Sequence, residues 1–161
     1  QRGIGASKAS EYGAVGMLVR SMTTRLDDVP HTGAMGYQDG VDPIPAMAIS
    51  TNDAELLSRL LKNETVRVFM RANCVPTPPA ISYNVIGEIR GGTYPDEIIL
   101  VGGHLDSWDV GEGAHDDGAG TVHAMAVIEL LRRMDYQPQR TIRCVLFMNE
   151  ESGLGGARAY W

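Results

Sequence analysis

The chain has 161 residues, 43% hydrophobic and 21% charged, with a formal net charge of -6. That size and apolar content suit one ordinary globular domain or two small ones. The acidic balance lacks the basic footprint of a nucleic-acid binder, and no run of about 18 apolar residues marks a membrane span.

Residues 1–75 read as one unit. SKASEYGA has helical composition, and GMLVRS after it reads as a short buried strand. Thr23 to Val41 mixes Pro, Gly, Asp, His and Thr without periodicity and is expected to be loop. IPAMAIS is a second short apolar run. Thr51 or Asn52 then caps a helix, NDAELLSRLLKN, whose Leu56, Leu57, Leu60 and Leu61 form an apolar stripe, with Lys62 in its last turn. TVRVFMRAN alternates apolar and basic residues like a half-exposed strand. A proline-rich stretch, VPTPPA (75–80), marks the best domain boundary, with residues 76–80 as the linker.

Residues 81–161 carry a different pattern. SYNVIGEIRG and EIILVGGHLD read as two strands about a GGTYPDE turn, paired as a hairpin or as neighbours. A glycine-rich loop follows, then a helix, AGTVHAMAVIELLRRM, with Val122, Met125, Ile128 and Leu131 apolar. TIRCVLFMNE is a strand, and EESGLGGARAYW turns into a helix. Alternating strands and helices argue an α/β fold with a mostly parallel sheet. The two cysteines, Cys74 and Cys144, form no CxxC pair and read as small buried hydrophobes. Gln1 in place of Met, and an end inside a helical pattern, lead us to expect a piece of a longer chain.

Ligands in open α/β sheets gather beyond the carboxyl ends of strands. HLD (104–106) and NEE (149–151) fall at such ends, and HDDG lies just before the helix between them. Parallel strands bring all three to one rim. His104 and Asp106, two apart on a strand, point the same way, so Asp106 can orient a metal-bound imidazole. Asp116 sits at a helix N-terminus. Glu150 and Glu151 diverge as strand neighbours do, so one can bind metal while the other moves protons, the division metal-assisted hydrolysis needs. Each piece also has an ordinary reading: a hydrogen-bonded histidine, a helix cap, a solvated glutamate pair. Together they favour a metal.

At these residues the sequence resembles the di-zinc aminopeptidases and glutamate carboxypeptidases of metallopeptidase family M28. HLDSWDVGEGAHDDGAG followed by FMNEESGLGGARAY follows the family's order, and HLDSWDVG is similar to the plasma glutamate carboxypeptidase-like branch. The resemblance is specific across residues 82–161. GAVGMLVRS, HTGAMGY and IPAMAIS look more weakly like part of a protease-associated domain.

The resemblance implies the zinc exopeptidase fold, here the N-terminal part of a mixed, mostly parallel sheet with flanking helices. It implies two zinc ions per complete catalytic domain. His104 would bind one, Glu151 the other, and Asp116 would bridge them. Asp106 would orient His104, and Glu150 would be the general base. The Asp116–Asp117 peptide would be cis, and Gly118 and Gly120 would let the backbone turn into the helix. A further Asp and a further His ligand belong to the family pattern and are absent from these 161 residues, so this piece alone is expected to be inactive.

The activity implied is exopeptidase hydrolysis of a peptide or dipeptide in a secreted, periplasmic or other extracytoplasmic protein, with a homodimer left open. Two other readings share the fold: a receptor-like relative that has lost its ligands, and a single-zinc cyclase. This chain keeps every HxD, DD and EE residue. His31, Glu112, His115, His123 and Glu129 are expected to be bystanders, and Trp108 and Asp109 either line the entrance or are ordinary loop residues.

Overall fold

The computed structural model describes residues 3–31, 33–75, 77–109 and 111–161. The chain divides into two compact units, Gln1–Thr77 and Pro78–Trp161. Among the described residues no helix is long and apolar enough to cross a membrane.

The first unit contains α1 (Gly5–Glu11), β1 (Met17–Arg20), β2 (Ala46–Ile49) and α2 (Thr51–Leu60). β1 and β2 pair in parallel, with Met17 opposite Ala46 and Arg20 opposite Ile49. Between them runs a long irregular segment, pinned by buried hydroxyls. The Ser21 hydroxyl donates to the Ile49 carbonyl and accepts the His31 N–H. Ser7 accepts the Gln38 N–H, and Thr51 accepts the Asp27 N–H. Ser7, Ser21 and Thr51 are all buried. Buried polar groups are tolerable when bonded in this way.

Three expectations fail in this unit. Ser50 caps α2, accepting the Asp53 N–H at 2.9 Å, because the Thr51 hydroxyl is engaged with Asp27. Of the leucine stripe, Leu57 and Leu60 are half-buried while Leu56 and Leu61 are exposed, and the helix stops before Lys62. Residues 65–73 form no strand, and Phe69 is 89% exposed. A strand needs a partner to satisfy its ladder, and among the described residues no strand pairs with this segment. Cys74 follows it and is exposed.

The second unit contains β3 (Val85–Ile89), β4 (Tyr94–His104), α3 (Gly120–Arg133), β5 (Arg140–Phe147) and α4 (Gly155–Tyr160). The strand order is β3-β5-β4, with β4 parallel and β3 antiparallel to β5. The sheet is therefore mixed, and β3 and β4 are not neighbours. The segment between them passes over the start of β5: Gly92 N–H reaches the Pro138 carbonyl and Tyr94 N–H the Gln139 carbonyl. Stepping over one strand spans about 10 Å, within reach of a four-residue link.

Ala124, Cys144 and Leu146 form the core, with Val101 and Ile128 packed against them. Thr121 and Ala124 are the buried positions of α3, while Val122 and Met125 are exposed. Asn84 ties α4 to the end of β5, donating to the Gly156 carbonyl and accepting the Met148 N–H. Val145, fully buried, lies on β5, the central strand of the three.

Candidate metal centre

The parallel pairing sets His104 opposite Phe147, so β4 and β5 end at the same level. His104 closes β4. A wide turn over Ala114–Ala119 leads into α3, and within it Asp116 (φ -114, ψ 94) and Asp117 (φ -131, ψ 34) leave helical geometry. The peptide between these two aspartates is cis. After β5, Asn149 takes a left-handed conformation (φ 62) and turns the chain back toward β4. Asparagine tolerates that region better than most residues.

These three ends converge. His104 Nε2 lies 3.1 Å from Asp116 Oδ1 and 3.8 Å from Glu150 Oε2. One donor atom from each of His104, Asp116 and Glu151 lies within 4.8 Å of the others. His104 is 11% exposed at its side chain and Asp116 73%.

Glu150 and Glu151 do separate, but through a turn and not through strand pleating. Both of their backbone N–H groups point at Asp106, whose carboxylate accepts them at 2.9 and 3.1 Å. Asp106 touches the imidazole through its backbone: His104 Nδ1 lies 2.9 Å from the Asp106 carbonyl and 3.6 Å from its carboxylate. Asp106 therefore orients the histidine by one group and anchors the glutamate loop by another.

The electrostatics call for a cation. A carbonyl oxygen only accepts, so Nδ1 donates to Asp106 and a neutral His104 presents a bare Nε2 to the Asp116 carboxylate. Two acceptors face each other unless a proton or a metal lies between them. Burial lowers the His104 pKa, but the Asp106 carbonyl, Asp116, Asp117 and Glu150 outweigh it and raise the group above its ordinary value. Burial, then repulsion from Asp116 and Glu150, pushes Glu151 upward. Burial also works against ionised Asp106, yet the two N–H donors hold it below the usual carboxylate value. Among the described residues, Glu151 Oε1 is buried with no hydrogen-bond partner. An imidazole and carboxylates with an orphaned oxygen among them match the donor set zinc takes.

Other expected residues fall outside the cluster. His115 and His123 are exposed, as are Asp109, Glu112 and Glu129. Trp108 is 37% exposed. His31 lies in the first unit. Two residues that residue-type reasoning left without a role, Asp117 and Thr121, bond to His104 directly. The signal for Asp117 was present as DDG before a helix, a cap pattern.

Residues 84–161 match peptidase family M28. The chain is 42% identical to carboxypeptidase Q from Xenopus laevis over 161 residues, 99% of this chain and 34% of that protein. It is 40% identical to human carboxypeptidase Q over 158 residues, again 34% of that protein. A probable leucine aminopeptidase 2 from Aspergillus fumigatus is 30% identical over 116 residues, 72% of this chain and 22% of that protein. The crystal structure of a peptidase M28 precursor from Shewanella amazonensis superposes with a TM-score of 0.80 at 43% identity, covering 97% of this chain and 36% of that one. The chain thus spans about a third of the length of the carboxypeptidase Q relatives. Through its second unit it belongs to peptidase family M28.

Proposed function

We propose that the protein containing this chain is a zinc-dependent exopeptidase acting on a peptide or dipeptide. The observation that carries this reading is the meeting of donor atoms from His104, Asp116 and Glu151 within 4.8 Å of one another. His104, Asp116 and Glu151 would hold the metal, with Asp116 shared between two ions. Zinc bound there would polarise the scissile carbonyl and make water more acidic.

Glu150 moves the proton. Its side chain is 41% exposed, with Oε2 3.8 Å from His104 Nε2. It takes a proton from the attacking water and passes it to the leaving amine. Asp106 keeps that carboxylate in place by holding the Glu150 and Glu151 N–H groups. Relatives named carboxypeptidase and aminopeptidase both match, which supports terminal cleavage. Residues 1–75 are read as part of a protease-associated unit, supported by relatives whose similarity runs through both units.

The test is Glu150→Gln in the full-length protein. Zinc content should match wild type while turnover of aminoacyl and dipeptide substrates is lost. Retained turnover would remove Glu150 from the role of base.

A further inference from the structure

His104 turns its own backbone groups away from β5. Leu105, the next residue, gives its N–H to the Phe147 carbonyl at 2.7 Å, and alternate residues of a strand address opposite sides. The side that His104 faces is where a further strand would pair. Side chains from the start of α3 occupy it instead. The His104 N–H donates to Asp117 Oδ2 at 2.9 Å, and the His104 carbonyl accepts from the Thr121 hydroxyl at 2.9 Å. Asp117 Oδ1 accepts the Gly120 N–H at 3.0 Å, so one carboxylate joins the end of β4 to the beginning of α3.

The fit is close. A Cβ on Gly103 would stand 2.7 Å from Asp117 Oδ2 and equally near the Thr121 N, and one on Gly120 would collide with the same carboxylate. Asp117 comes within 4.0 Å of His104 Nε2, but both of its oxygens are already taken by N–H groups, which sets it apart from Asp116.

We propose that Asp117 and Thr121 are positioning residues that clamp both backbone groups of His104 and so aim its imidazole at Asp116 and Glu151. The consequence for metal binding rests on the zinc reading above; the clamp itself does not.

Two measurements on the full-length protein containing this chain test it. Amide exchange by NMR reads the clamp without metal. In Asp117→Asn the His104 amide should exchange about tenfold faster, as expected for a lost charge-assisted bond. The Leu105 amide, bonded to Phe147, should not change, which separates the effect from general loosening. Cobalt(II) titration reads the consequence. Asp117→Asn and Thr121→Val should weaken cobalt binding by about 10- to 100-fold and shift its visible band, as changes behind a metal ligand do. Thr121→Ser should restore both, since it returns the hydroxyl.

Should Asp117→Asn fail to fold, the Thr121 pair carries the test. Unchanged His104 exchange in Asp117→Asn, or Thr121→Val binding cobalt as wild type does, overturns the proposal. A wild-type full-length protein that gives no cobalt band defeats the metal reading instead, and the exchange result then decides the clamp alone.

Discussion

The Asp106 carboxylate accepts the N–H groups of two successive glutamates, one poised beside His104 and one within the donor set. Hydrogen bonds to an ionised acceptor are the stronger class. Asparagine in its place keeps the shape but turns an NH2 toward one of the two donors. We expect Asp106→Asn to lower stability by about 1.5–3 kcal/mol. Urea unfolding followed by circular dichroism measures this, and a loss below about 0.5 kcal/mol would mean that water replaces both bonds. The HxD spacing made Asp106 legible as a partner of His104. Its second task was hidden, because no local pattern states which distant backbone a carboxylate will face. The cysteines show the same limit. Cys144 is buried in β5, where burial pushes its thiol pKa up, while Cys74 is exposed beyond a segment that never becomes a strand.

Among the elements, α2 shows how a neighbouring contact overrides a local rule. Thr51 is a good cap residue by type, yet its hydroxyl is fully buried and bonded to Asp27, so the helix starts one residue earlier on Ser50. Ser50→Ala should lower the stability of the first unit by about 1 kcal/mol. Thr51→Ala should release the Asp27 segment and leave the α2 cap intact. Amide exchange at Asp53 and Asp27 separates the two: Asp53 should respond only to Ser50→Ala, Asp27 only to Thr51→Ala. Swapped responses would show that Thr51 caps in solution. The second unit's elements were more readable, because long apolar runs bounded by glycine specify β4 and β5 strongly. Strand order was not readable. Adjacency in sequence suggested a hairpin, but the turn after β3 is long enough to pass over β5, and only the pairing of Gly92 and Tyr94 with Pro138 and Gln139 decides it.

At the scale of the whole molecule, the second unit buries little of its apolar surface. Ile98, Ile99 and Leu100 on β4 are each 44–50% exposed, and on α3 Val122 and Leu130 stand 59% and 58% exposed. β4 is an edge strand of the sheet, and at 11 residues it is long for an edge. A long apolar edge invites pairing with another chain, and contiguous apolar patches favour association. The bonds from Asp117 and Thr121 occupy this edge at His104, and among the described residues no strand pairs with the outer side of β4. We therefore expect the 161-residue chain to bind the dye ANS and to associate as its concentration rises. Leu130→Lys, which places a charge on an exposed face of α3 without removing a core contact, should weaken association and leave the circular dichroism spectrum unchanged. Sedimentation velocity over a concentration series reads the outcome. A chain that stays monomeric throughout and leaves ANS dark would overturn this expectation.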